Sequence, residues 1–309
     1  MTPSQKKLTF ADFNKQADWL GQQLVVAQWS ERLTWSGLEI IDDEFMTRTR
    51  SDSPHHEFHN VLATRIQQSR IGRDLDRCLA ILAAETQPSR WFLNAHNQEL
   101  EITQQLISRG FDDFTSFSVM AADIESIEDS AFSQRLWPKV LDISELTEDY
   151  QLKSWVEALA RIYELPDDLA NTCLDMVLGC GFGANQPWRY YVCRINGVPA
   201  GILSVLWTDQ LVTIEVLGVL PDFRHQGVGK ALLQHAVSDA HKAGYKVVVS
   251  WPMSDARGIY EHYGFKLVGV INCVTIKNEQ VEKYRDDPPA ELIDKPPAGP
   301  KIGELWLQN

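Results

Sequence analysis

The chain has 309 residues, of which 44% are hydrophobic, so it has enough length and apolar material for two packed domains. Its 42 acidic residues outnumber the 29 basic ones, and the net charge of −13 argues against a nucleic-acid partner and mildly favours cationic substrates. The first residues lack the apolar segment of a signal peptide, and no run of 18 apolar residues occurs. We therefore expect a soluble, cytoplasmic protein that does not contact membranes.

The predicted elements of the first half alternate between helices and strands. A histidine-rich segment, His55 to His59, misses the zinc pattern HExxH because Asn60 replaces the second histidine, so we interpret it as a surface cluster and expect no metal. In chain order, hydrophobic spacing predicts a helix over 11–24, a loop over 42–56, helical segments over 58–66 and 75–84, a strand over 91–93, a helix through Leu100 and Leu106 ending at Gly110, an alternating stretch from Phe111 to Ala121, and a polar bridge over 125–134.

The second half contains a hairpin signal, Asn196-Gly197, between two apolar runs. The elements predicted there are a strand over 140–143, helices over 148–163 and from Pro166, a flexible glycine-rich loop over 179–183, strands over 189–195, 200–207, 211–220 and 245–250, a helix from about 255 to Gly264, and two strands through Leu267 and Cys273. The tail over 278–309 carries five prolines and is expected to be extended or loosely packed. Five cysteines without paired spacing are predicted to be reduced core residues: Cys78, Cys173, Cys180, Cys193 and Cys273.

The two halves repeat each other at an offset of 154, the separation of Gly110-Phe111 from Gly264-Phe265 (264 − 110 = 154). This offset also aligns Trp91 with Tyr245 and the helix from Asp74 with the helix from Val228. At the same offset the first half has Arg73 for Gly227, Leu75 for Gly229 and Leu106 for Tyr260. Chance similarity between two α/β units is the alternative explanation of the repeat.

An anion site is predicted where an apolar strand, a glycine loop and a helix follow one another over 216–233. Gly227 and Gly229 let the backbone approach a ligand closely, and the free N–H groups that begin the helix suit a diphosphate. The alternative is a strand-to-helix turn whose glycines serve geometry alone.

The motif Arg224-x-x-Gly227-x-Gly229, followed downstream by Tyr260-Glu-His-Tyr-Gly264-Phe265, resembles the GCN5-related N-acetyltransferase (GNAT) family over about residues 138–277. The resemblance implies an α/β fold of tandem GNAT-type domains with a mixed, mostly antiparallel central sheet flanked by helices. Residues 1–127 would be a degenerate, non-catalytic copy and 138–277 the catalytic domain. It also implies acetyl-CoA as co-substrate, no metal, and direct acetyl transfer in a ternary complex to a primary amine of a small molecule or peptide.

The resemblance also implies roles for single residues. Tyr260 would donate a proton or a hydrogen bond to the departing thiolate. The strand end would pair with pantetheine and offer an N–H to the thioester oxygen. Met253 departs from the family, where many members carry an asparagine. The residues implied to bind acetyl-CoA are Leu217, Gly218, Val219, Arg224, His225, Gln226, Gly227, Val228, Gly229 and Lys230.

Glu215 is the candidate general base, because it is a lone carboxylate in an apolar strand and alternation places it on the face of Leu217 and Val219. A substrate-binding or structural role for Glu215 remains open, and Glu261 and His262 are weaker candidates. The rival function is a non-catalytic protein that binds acyl-CoA and responds to it. The sequence leaves the acceptor amine and the oligomeric state open.

Overall fold

The computed structural model describes residues 7–12, 25, 28–29, 31–32, 34–85, 87–94, 97–130, 141–253 and 256–285. Most of the helix predicted over 11–24 lies outside the described residues. The chain divides into two compact units. We call Asp18–Phe117 with Gly269–Asn309 the N unit, and Met1–Ala17 with Ser118–Val268 the C unit.

Strands and helices alternate along most of the described chain. In order they are β1 (Leu38–Asp42), β2 (Met46–Ser51), β3 (Asn60–Thr64), α1 (Ile71–Glu85), β4 (Ser89–Asn94), α2 (Asn97–Ser108), β5 (Phe114–Asp123), α3 (Ile124–Ser130), β6 (Leu141–Glu145), α4 (Asp149–Tyr163), α5 (Asp167–Cys180), β7 (Trp188–Ile195), β8 (Val198–Trp207), β9 (Val212–Val219), α6 (Val228–Lys242), β10 (Val247–Ser250), α7 (Arg257–His262), β11 (Lys266–Ile276) and α8 (Asn278–Arg285). None of the helices within the described residues is long and apolar enough to cross a membrane.

The N unit contains a sheet in the order β1–β2–β3–β4–β11. Its pairs are antiparallel except β3 with β4, which run parallel and are connected through α1. Leu75, Leu79 and Leu82, spaced by three and four residues, bury one face of α1 in the core. Two predictions here are wrong, because β2 occupies part of the expected loop over 42–56 and β3 occupies most of the expected helical segment over 58–66.

The C unit contains a sheet in the order β5–β10–β9–β8–β7–β6, antiparallel except for β9 with β10. Helices pack closely against both faces of this sheet, and each close contact is made at a glycine. A Cβ on Gly201 would lie 2.6 Å from Val228 of α6, and one on Gly218 would lie 2.9 Å from Ile162 of α4. Gly218 pairs with Ile202, the neighbour of Gly201, so the two glycines point to opposite faces. The predicted mixed, mostly antiparallel sheet flanked by helices is confirmed in each unit.

Each unit takes one strand from the other half of the sequence. Residues Met120–Asp123 of β5 pair with β10 of the C unit, and Ile271–Ile276 of β11 pair with β4 of the N unit. The unit boundaries therefore fall inside these strands, after Phe117 and after Val268, instead of at the expected residues 127 and 138. The stretch through Leu267 and Cys273 is also one strand and not two, because it runs from one unit into the other without a turn.

The first part of the tail is helical, contrary to the expected extended chain. In α8, Val281 is buried and the Arg285 guanidinium donates to the carbonyl of Ala83 in α1. The prolines that motivated the prediction, from Pro288 onward, lie outside the described residues. The expected polar bridge begins as α3, and its residues 131–134 are likewise outside the described chain. The cysteines are free thiols as predicted, with only Cys173 partly exposed among the five.

The internal repeat is visible in the backbone. Gly110 and Gly264 both adopt left-handed φ angles, of 90° and 85°, and each is followed by a buried phenylalanine. The amide of Phe111 donates to the carbonyl of Leu106, and the amide of Phe265 donates to the carbonyl of Tyr260, both at 3.1 Å. The two helices thus end in the same way, which makes Leu106 the structural equivalent of Tyr260, as the offset of 154 predicts.

Candidate active site

The glycine loop before α6 breaks the chain direction sharply. His225 and Gly227 adopt left-handed φ angles of 61° and 83°, and Gly227 is the N-cap of α6, with no side chain bonded to the cap. The first helical hydrogen bond runs from the amide of Ala231 to the carbonyl of Gly227 at 3.0 Å. The amides of residues 228–230 therefore precede the helical hydrogen-bond pattern and point toward the open end of the helix.

Gly229 is not required by the fold. A Cβ added there would meet Val219 at 3.5 Å, an ordinary van der Waals contact, and its backbone is not left-handed. A methyl group would therefore fit beside the first turn of α6. Two cations flank it: Arg224 is exposed with its Nε 3.4 Å from the carbonyl of Val219, and the Lys230 ammonium lies 5.4 Å from the ring centre of Tyr263. Gln226 donates to the carbonyl of Asp222.

The end of β9 lies beside this loop and lacks a partner on one side. The parallel ladder between β10 and β9 ends at the pair Ser250–Ile214, whereas β9 continues along β8 as far as Val219. Residues 215–219 of β9 thus have no β10 partner in the described ladder. Leu217 and Val219 pack their side chains against the core, and the space above Gly218 is taken by Ile162. The glycine at 218 consequently has a packing reason of its own.

Glu215 occupies a β-bulge in β9. Ser204 of β8 pairs with Val216 and the next residue, Val205, pairs with Ile214, so Glu215 is skipped. Val212 and Ile214 before the bulge, and Leu217 and Val219 after it, all pack on the same core cluster. The alternation of side chains between the two faces of the sheet is therefore interrupted at Glu215. Its expected position on the same face as Leu217 and Val219 does not follow from counting residues. The Trp251 Nε1–H donates to Glu215 Oε2 at 3.0 Å.

Tyr260 is almost fully buried in α7, with its ring edge-to-face against Phe265 at a centroid distance of 5.2 Å. Burial raises the pKa of the Tyr260 phenol well above its ordinary value, and the charge of Glu215 adds to the increase. A hydrogen bond with the Ser250 hydroxyl acts in the opposite direction. Ser250 also donates to the carbonyl of Ile214 at 3.2 Å. Tyr260, Ser250 and the bulged strand are therefore connected by hydrogen bonds, with a phenol that keeps its proton.

The rival candidates lie at the surface of α7. Glu261 forms an ion pair with Arg257 at 2.7 Å, where both side chains are exposed, and His262 packs its ring on Tyr263. Met253 is 53% exposed. In the N unit, His59 is buried and bonded through Nε2 to the Ser53 carbonyl at 2.7 Å, so the histidine segment is not wholly a surface cluster.

Ser250 and Trp251 were missed by sequence reasoning. Ser250 is the last residue of the predicted strand over 245–250 and Trp251 is the next, so both lie at the carboxyl end of a parallel strand next to the strand of Glu215. That position was a usable signal, because the ends of neighbouring parallel strands meet at one edge of a sheet. Within the described residues, no group of three metal-ligating side chains comes together.

Comparisons with known proteins agree with this geometry. The family model of the acetyltransferase (GNAT) domain matches residues 186–267. An uncharacterized N-acetyltransferase of Methanocaldococcus jannaschii is 32% identical over 81 residues, which cover 24% of this chain and 36% of that protein. The chain thus spans only about a third of that relative's length.

Two solved structures share the fold over most of the chain. One is a GCN5-related N-acetyltransferase from Kribbella flavida, with a TM-score of 0.59, 11% identity and coverage of 82% of this chain and 95% of the other. The second is a tandem GNAT protein from the clavulanic acid biosynthesis pathway, with a TM-score of 0.58, 12% identity and coverage of 88% and 98%. Residues 186–267 thus match the GNAT domain, and the chain as a whole shares its fold with these two structures.

Proposed function

We propose that the protein is an acetyl-CoA-dependent N-acetyltransferase that acetylates a primary amine of a small molecule or peptide, and that its C unit carries the site. The observation that supports this most directly is the open first turn of α6 beside the unpaired end of β9, with Glu215 and Tyr260 at the same sheet edge. Gly229 has no packing role in the fold, which supports a glycine that lets the diphosphate approach the backbone closely.

Backbone amides and charged side chains would share the binding of CoA. The amides of Val228, Gly229 and Lys230 would bind the diphosphate, with Arg224 and Lys230 supplying charge and His225 and Gln226 shaping the loop. The β10-facing edge of Leu217, Gly218 and Val219 would pair with the pantetheine amides and donate an N–H to the thioester oxygen.

Glu215 is proposed as the general base. An alkyl ammonium has a pKa of about 10.4, so it must first lose one proton to the solvent to expose the nitrogen lone pair. The neutral amine then attacks, and Glu215 takes the second proton from its nitrogen, directly or through a water molecule, as the nitrogen–carbon bond forms and the carbon–sulfur bond breaks. The Trp251 Nε1–H donates to one oxygen of this carboxylate and orients it.

Tyr260 is proposed to stabilise the departing sulfur. Its raised pKa keeps the phenol protonated, so it can offer a hydrogen bond to the sulfur as negative charge develops, and the proton passes over only as the thiolate forms. For this the hydroxyl turns from Ser250 toward the sulfur. The thiol then leaves, and exchange with water restores Tyr260 and Glu215.

The test is thiol release from acetyl-CoA with a panel of amines, together with the mass of the acetylated product. Tyr260→Phe keeps the ring but removes the hydroxyl, and we expect kcat to fall on the order of 10²-fold with the KM for acetyl-CoA unchanged. The matched control is Tyr245→Phe, which removes a phenol that donates to the Thr208 carbonyl at 2.6 Å and should leave kcat intact. Binding of acetyl-CoA without turnover on any amine would favour a non-catalytic acyl-CoA-responsive protein.

A further inference from the structure

The hydrogen bond between Trp251 and Glu215 joins two elements that approach each other only in the fold. Trp251 is the first residue after β10, and Glu215 is the skipped residue of the bulge in β9. The indole Nε1–H lies 3.0 Å from Glu215 Oε2, and both side chains are partly buried. An indole nitrogen can only donate, so this contact requires an acceptor and favours the ionised carboxylate.

We infer that Trp251 is a positioning residue for Glu215, which fixes the carboxylate at the bulge and keeps it ionised so that it can serve as base at lower pH. The inference rests on the proposed function for its kinetic consequence, but the contact itself does not. A bulged residue lies outside the regular ladder, so its direction is not set by strand pairing. The bond from Trp251 therefore fixes the direction of the Glu215 carboxylate.

Glu215 also interacts with a titratable neighbour. Its charge disfavours ionisation of the buried Tyr260 phenol in α7. A phenol stays neutral over the pH range in which a carboxylate titrates, so the charge of Tyr260 does not change there. The residues of β8 opposite the bulge carry no charge: Ser204 and Val205. Replacing Trp251 removes a hydrogen-bond donor from the carboxylate and should raise the titration midpoint of Glu215.

The experiment compares the full-length protein with Trp251→Phe over about pH 5 to 9, a range that brackets carboxylate titration. We expect the acid limb of kcat/KM to move to higher pH by on the order of one unit, because the ionised carboxylate loses a donor. Activity should therefore fall most at acidic pH and recover toward the alkaline plateau. Glu215→Gln should remove this limb, and Trp251→Phe should add no further shift in that background.

Trp207→Phe is the matched control. Trp207 lies in the same unit and packs against Tyr245 and Arg189. Its buried Nε1 has no hydrogen-bond partner among the described residues, so the substitution removes an indole without removing such a bond. Its acid limb should coincide with that of the wild type. An unshifted limb in Trp251→Phe, or a loss of equal factor at every pH, would overturn the inference while acetyl transfer stood.

A second measurement separates the inference from the proposed function. In protein with ¹³C-labelled glutamate carboxyls, the Glu215 resonance is the one absent from Glu215→Gln, and its titration midpoint should rise in Trp251→Phe. This readout needs no turnover. An identical midpoint in both proteins contradicts the inference even if no amine is acetylated, and a raised midpoint supports it in that same case.

Discussion

The N and C units carry the same strand–helix–strand arrangement but differ at three positions where the C unit has its candidate chemistry. Both have a bulge before the central helix: β3 skips Leu62 against β2, as β9 skips Glu215 against β8. The buried Leu62 therefore replaces the carboxylate, and the buried Leu106 replaces Tyr260. The N unit has kept the backbone features of the repeat and has apolar side chains where a base and a phenol would stand.

The third difference lies at the start of the central helix. α1 begins at Ile71 and α6 at Val228, an offset of 157 (228 − 71 = 157), so Arg70 corresponds to Gly227 and Gly72 to Gly229. The predicted alignment at an offset of 154, which matched Gly227 with Arg73 and Gly229 with Leu75, is therefore wrong at the start of this helix. The segment between the second parallel strand and the repeated glycine is shorter in the C unit, with 13 residues (264 − 250 − 1 = 13) against 15 in the N unit (110 − 94 − 1 = 15).

The one glycine that the N unit retains does not give it a diphosphate-binding loop. A 3₁₀ turn over Gln68–Arg70 runs directly into α1, without the left-handed break that Gly227 makes before α6. The carboxylate of Asp74, buried in the first turn, accepts from the amide of Gln67 at 3.1 Å. This carboxylate also pairs with Arg70 and Arg77, at 3.8 and 3.9 Å, so side chains of the protein already occupy the helix start. We therefore propose that the N unit does not bind acetyl-CoA.

The exchanged strands lead to the largest expected effect. A polypeptide of residues 1–127 lacks β11 and α8, which supply the core residues Val274, Ile276 and Val281 and the antiparallel partner of β4. We expect it to show no cooperative unfolding transition by circular dichroism. Residues 18–117 joined through a long glycine-serine linker to 269–309 should regain one, and a sharp transition in the 1–127 polypeptide alone would contradict the exchange.

Sequence reasoning succeeded where a signal is local. The hairpin at Asn196-Gly197, the helix ends at Gly110 and Gly264 and the loop at Gly227 each depend on a left-handed residue that only a few side chains tolerate. The strand exchange could not be predicted, because pairing between residues 94 and 271 leaves no trace in either segment. The bulge at Glu215 and its bond to Trp251 likewise depend on which strands become neighbours.

The loop before α6 provides the second test of the comparison. Gly227→Asp places a carboxylate beside the diphosphate, and two charges at 4 Å repel by about 4 kcal/mol at an effective dielectric constant of 20, roughly a thousandfold in Kd. Binding of acetyl-CoA by calorimetry should therefore be lost. Gly197→Asp is the control, since Gly197 is also left-handed, with φ 80°, and has open space around it.

The N unit can be tested in the same background. Adding Arg70→Gly to Gly227→Asp supplies the missing glycine to α1 but leaves the 3₁₀ turn and Asp74 in place. We expect no recovery of binding. Recovered affinity would mean that one side chain, and not the backbone path into the helix, separates the two units.

The smallest effect is expected at the glycine that both helices share. Gly229→Ala adds a methyl group that the protein accommodates against Val219, and it replaces a helical glycine, so the free energy of unfolding should stay equal or rise by up to about 1 kcal/mol. The methyl group occupies the space proposed for the diphosphate, and we expect acetyl-CoA to bind about tenfold more weakly, a loss of roughly 1.4 kcal/mol.

Gly72→Ala in α1 is the matched change, since its Cβ would meet only the Arg109 guanidinium, at 3.6 Å. It should affect stability in the same direction and leave the affinity unchanged. Equal affinities in Gly229→Ala and the wild type would mean that the ligand does not approach this turn, whereas a weakened Gly72→Ala would place part of the binding in the N unit.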